Sequence, residues 1–130
     1  MVYKHRILHI TLWVQSIYYF LTVAWALTDI NSFMALTGTK SDVWLVKTVS
    51  VLLIAISFSF IGYLFTKINP CPVIILAVGC CLFLAAIDFY YAGKGIISNV
   101  YFIDGVVQLI LLSAWIINLK RMIMNLNKIR

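Results

Sequence analysis

The stretch VWLVKTVSVLLIAISFSFIGYLF, residues 43–65, decides the fold. Lys47 is the single charge in it. A helix of that length extends roughly 35 Å, enough to cross the ~30 Å hydrocarbon core of a bilayer. Strict apolar–polar alternation is absent, and Leu, Ile, Ala and Phe dominate, so the run reads as a membrane helix rather than a barrel strand. Residues 7–27, 73–92 and 100–119 repeat the composition, each at about the 20 residues that a span requires. The expected fold is all-α: a polytopic membrane protein forming one domain, residues 1–130. Its four transmembrane helices are expected over about 7–27, 43–65, 70–92 and 99–120, followed by an interfacial tail at 121–130.

Composition agrees. Of 130 residues, 64% are hydrophobic and 11% charged, which leaves a water-soluble domain no polar surface to show. The first run follows Lys4 and Arg6 and contains Ala24-Trp25-Ala26, so it imitates a signal peptide, yet its apolar stretch is longer than a usual signal core. The net charge of +6 is distributed by topology and does not mark a nucleic-acid binder. Lys4, Arg6, Lys67, Lys120, Arg121, Lys128 and Arg130 fall at the two ends and in the second loop. Lys40, Lys47 and Lys94 fall on the opposite side. The positive-inside rule then puts both termini in the cytoplasm. In the tail, Ile123, Leu126 and Ile129 recur at helical spacing beside basic residues, as in a helix extended along an anionic leaflet or simply into water.

The connections carry helix punctuation. Residues 31–38 are expected to form one or two interfacial turns, capped by Asn31 and ended by Gly38, with Phe33, Met34 and Leu36 toward lipid. Ser41 or Asp42 is expected to cap the second span. Asn69 followed by Pro70 starts the third, Gly93-Lys94-Gly95 stops it, and Ser98 or Asn99 caps the fourth. Residues 41–49 and 98–106 align without a gap, which suggests a parallel repeat of two helical hairpins.

Depth singles out the candidate site. Lys47 and Asp104 each lie four residues into a span, and Asp88 lies four residues before the end of one. All three therefore sit roughly 6 Å below the same face. Charges at that depth cost several kcal/mol unless paired or hydrated, which makes them functional candidates. Gln108 lies one turn below Asp104, and Asn99, Tyr101 and Trp44 lie near the mouth. The expectation is an outward-facing polar pocket between the last three spans, with Lys47 pairing one or both aspartates and Gln108 as the floor. Two blander readings stay open: a purely structural Lys47–Asp104 ion pair, or side chains snorkelling to the headgroups. The opposite half offers only Thr11, Gln15, Ser57, Ser59 and Asn118, too little for a simple channel.

Other chemistry finds no constellation. His5 and His9 are one turn apart, but two ligands are too few for a metal. Cys71, Cys80 and Cys81 make no C-x-x-C and read as packing residues. Ser50, Ser57 and Ser59 have no base beside them. No catalytic residue, metal or cofactor is expected.

Residues 37–49, Ile87-Asp88-Phe89-Tyr90-Tyr91 and residues 97–104 resemble small four-helix bacterial membrane proteins, DoxX-like in architecture. The resemblance covers about residues 34–110 and carries no catalytic motif. It implies a bacterial inner-membrane protein, accessory to a redox or transport system. Three functions follow: a non-enzymatic protein that binds or transports a small molecule or ion at Lys47, Asp88 and Asp104; an accessory or assembly subunit that uses these charges as structural glue; or a redox-linked membrane enzyme subunit. Membrane lipids are the expected surroundings. A homo-oligomer is expected, because so small a bundle exposes much of its surface.

Overall fold

The structure, a computed structural model, describes residues 3–66 and 69–127. Its elements are α1 (Tyr3–Thr28), α2 (Ile30–Thr37), α3 (Val43–Thr66), α4 (Pro70–Gly93) and α5 (Val100–Asn127), with no strand among the described residues. Four of these helices are long and apolar enough to cross a membrane: α1, α3, α4 and α5. The protein is an all-helical, multi-pass membrane bundle. Large apolar side chains such as Leu21, Phe65, Ile75, Phe83 and Ile110 lie on its outside, the surface a lipid solvent requires.

The expected spans at 7–27, 43–65 and 70–92 lie within the observed helices, and the fourth begins one residue later than expected, at Val100. α1 starts earlier, at Tyr3, and α5 runs on unbroken to Asn127. The tail is therefore a continuation of the last helix, and its final residues, 128–130, lie outside the described residues. Asn69 caps α4 as expected, its Oδ1 accepting from the Cys71 amide at 3.0 Å, with Pro70 in the first turn. α4 stops at Gly93, and Gly95 supplies the positive φ of +68° that turns the chain back. Ser98 Oγ accepts from the Val100 amide at 3.4 Å at the start of α5.

The short α2 departs from expectation at two points. Its cap is Asp29, whose Oδ1 accepts from the Ser32 amide at 3.1 Å, and not Asn31. The carboxylate satisfies an amide of the first turn and opposes the positive end of the helix dipole. Phe33 is buried rather than turned to lipid: its ring meets Trp25 edge-on at 5.5 Å and so pins α2 to the end of α1.

α1 packs extensively on α3, and α4 on α5; α1 also joins α5, whereas α3 and α4 touch only lightly. Leu12, Phe60, Ala77, Cys81 and Trp115 fill the centre without exposure. Between α3 and α4 runs an apolar groove of ≈ 460 Å³ with Leu53, Ile56, Gly79 and Cys80 among its walls. α3 and α5 therefore occupy diagonal positions in the bundle. That arrangement governs which polar side chains meet.

Candidate ion or ligand site

α4 buries one stripe: Ile74, Ala77, Cys81, Ala85, Asp88 and Ala92. The spacing is that of one helical face, so Asp88 points inward because its neighbours at three and four residues do. It is 5% exposed. Across the α4–α5 seam its carboxyl group faces that of Asp104, which is half-buried, close enough for the two to interact electrostatically. Asp104 Oδ1 also accepts a short hydrogen bond from the Tyr18 hydroxyl of α1. Asp88 Oδ2 is buried and receives no hydrogen bond among the described residues. A buried polar atom left unpaired is uncommon in a folded protein and calls for a ligand or a proton.

Below this layer the helices are stitched by neutral polar groups. The Tyr19 hydroxyl donates to Gln108 Oε1 at 3.0 Å. Gln15 Nε2 reaches the Tyr19 hydroxyl at 3.1 Å, the Ala77 carbonyl at 3.0 Å and Cys81 Sγ at 3.3 Å. Gln15 Oε1 accepts from Trp115 Nε1 at 2.8 Å. One turn further along, Asn118 Nδ2 donates to Thr11 Oγ1 at 3.1 Å. A side-chain amide has two protons for these three acceptors, so one proton is shared. The half in which the sequence offers Thr11, Gln15 and Asn118 holds a polar thread along the α1–α5 contact, flanked by α4.

The sequence-predicted residues divide. Asp88 and Asp104 come together, and Gln108 is buried one turn below, held by Tyr19 rather than lining an open floor. Tyr101 is half-buried near the mouth, with the Lys40 ammonium 4.9 Å from its ring centroid. Lys47 and Trp44 do not join them. Trp44 is 65% exposed, and Lys47 is exposed in a shallow hollow with Thr48, Val51 and Leu52. Among the described residues neither aspartate has a lysine or arginine partner, so the expected Lys47 pairing is corrected. The reason is azimuthal. Lys47 lies about 100° around the axis from Val46, which begins the α3 stripe that continues through Ser50, Ser57 and Phe60 toward α1. Asp104 is on the diagonal helix.

Tyr18, Tyr19 and Trp115 were not singled out by their sequence context, and Gln15 was noted only as an isolated polar residue. The available signal was the recurrence of Thr11, Gln15, Tyr18 and Thr22 at helical spacing inside an apolar run. Among the described residues no group of three or more His, Cys, Asp or Glu side chains is placed to hold a metal ion. The chemistry on offer is that of two carboxyl groups and a phenol at the edge of a dry bundle: they can hold a proton or a small cation. No protein-family model, curated protein or solved structure matches the chain.

Proposed function

We propose that the protein is a small non-enzymatic integral membrane protein that binds or carries a small molecule or ion at Asp88 and Asp104. The observation that carries this reading is the meeting of two carboxyl groups from separate spans, one with a buried, unpartnered oxygen. Acidic side chains placed within a membrane are expensive and mark ligand or ion positions by default. An assembly role that relies on an intramembrane ion pair loses its support, because among the described residues Lys47 does not reach Asp104. The basic residues Arg6, Lys120 and Arg121 near the chain ends support a cytoplasmic location for that end of the bundle. The acidic pair then lies near the opposite, α2-bearing face. A DoxX-like architecture in a bacterial inner membrane remains part of this proposal.

The test is thermal unfolding in lipid nanodiscs against sodium, potassium, ethylammonium and pH. A ligand at about ten times its Kd stabilises the folded state by about 1.4 kcal/mol. Asp88→Asn should abolish the response that the wild-type protein shows. A wild-type Tm that is flat against every ion and against pH removes the proposal.

A further inference from the structure

Resting on that reading, the geometry points to the species itself: we propose that the bound ion is a proton, shared between the Asp88 and Asp104 carboxyl groups and exchanged with water at the α2 end.

Proximity is the first ground. The two carboxyl groups face each other across the α4–α5 seam without a lysine or arginine partner among the described residues, and two ionised carboxylates so placed repel unless one of them takes a proton. The second ground is burial. Asp88 is 5% exposed with Oδ2 unpartnered, and the layer is closed by Phe89 lying on Gly105. The third ground is the ligand set. A hard cation takes six or more oxygens, whereas the pair and Tyr18 bring two carboxyls and one phenol.

The groups facing the pair from each neighbouring element fit this role. From α1, Tyr18 donates to Asp104 and Tyr19 donates to Gln108 below it. From α4, Cys81 lies two turns below Asp88 against Gln15. From the segment after α2, Lys40 stands over Tyr101, one turn above Asp104 on the same face of α5. That ammonium repels an incoming organic cation and leaves proton exchange through the half-buried Asp104 open. α3 turns Lys47 away. In the balanced step, one carboxylate oxygen takes a proton from hydronium, forming an O–H bond and leaving water, and the reverse step returns the proton to water as hydronium. Loss of the proton leaves two anions facing each other in a medium of low dielectric, and their repulsion drives the α2 ends of α4 and α5 apart.

The chain makes the measurement simple, because it holds only four acidic side chains: Asp29, Asp42, Asp88 and Asp104. Infrared difference spectra of the wild-type protein in nanodiscs, titrated in pH, should show one protonated-carboxyl band per chain that shifts in D₂O. The band should vanish in Asp88→Asn and in Asp104→Asn and persist in Lys47→Ala. The wild-type titration stands even if a variant fails to fold. Absence of a titrating band in wild type, or its persistence in both folded asparagine variants, overturns the inference. If sodium or ethylammonium stabilises the wild type through Asp88 and no such band exists, the proton is wrong and the binding reading survives. If neither the band nor any ion response depends on Asp88, both fall.

Discussion

Phe89 lies on the bare face of Gly105: a Cβ built on that glycine would stand 3.0 Å from ring atoms Cε2 and Cζ. One residue earlier on each helix, Asp88 meets Asp104. Close backbone approach and the acidic contact are thus set in one layer, as small residues permit in membrane helix pairs. Gly105→Ala gains about 1 kcal/mol of helix propensity and sets it against displacement of the Phe89 ring. The net change should fall within about 1 kcal/mol. Gly105→Leu adds overpacking of about 1–3 kcal/mol, which outweighs the propensity gain. Its Tm in nanodiscs should drop by several degrees, and the Phe89→Ala background should restore much of the loss.

Gln15 joins α1 to both α4 and α5. Gln15→Leu strands the Trp115 indole N–H in a position with no exposure. Leaving such a donor unpaired costs about 1–3 kcal/mol. Hydrogen bonds measured within membranes fall at the low end of that range. A destabilisation of about 1–2 kcal/mol is expected. A double-mutant cycle with Trp115→Phe should return a coupling of about 1 kcal/mol, and purely additive effects would show that this hydrogen bond does not hold the helices together.

Lys47 should behave as a lipid-facing surface residue. Lys47→Ala is expected to change stability by less than about 0.5 kcal/mol. Its cycle with Asp104→Ala should show no coupling beyond about 0.3 kcal/mol. Restoration of stability by exchanging the two charges would contradict the diagonal placement of α3 and α5.

Depth was readable from the sequence, and direction around each helix axis was not. Counting residues from the span ends placed Asp88 and Asp104 in one layer, because rise per residue is fixed. The same count placed Lys47 beside them, since it carries no information about which neighbour α3 faces. The α3 stripe of Ser50, Ser57 and Phe60 records that choice, but serine and phenylalanine suit lipid and protein interfaces alike. Tyr18 and Tyr19 were equally ambiguous. Adjacent tyrosines point some 100° apart on a helix, and only packing reveals that one reaches Asp104 and the other Gln108. The α2 cap was misread by two residues for a local reason: Asp29 and Asn31 are both good caps, and Trp25 settles the register by drawing Phe33 inward.

Asp29 gives α2 an acid-sensitive start. Hydrogen bonds from the Ser32 backbone N–H and then from the Ser32 side chain hold its carboxyl below the usual value of 3.8. A carboxyl lowered by folding contributes stability that is present above the unfolded value and is lost as pH falls through the folded one. Protection of the Ser32 and Phe33 amides from hydrogen exchange should therefore decline as pH drops below 3.8. Asp29→Asn should keep the cap and flatten this dependence, and Asp29→Ala should lose protection at every pH.

The slight contact between α3 and α4 gives the molecule a firm spine along α1 and α5 and an unlatched edge opposite. Gly79 and Cys80 stand in that edge, with the Phe83 ring beside Gly79. Parting of the α1–α3 pair from the α4–α5 pair is expected to begin at this edge, where the fewest side chains must separate.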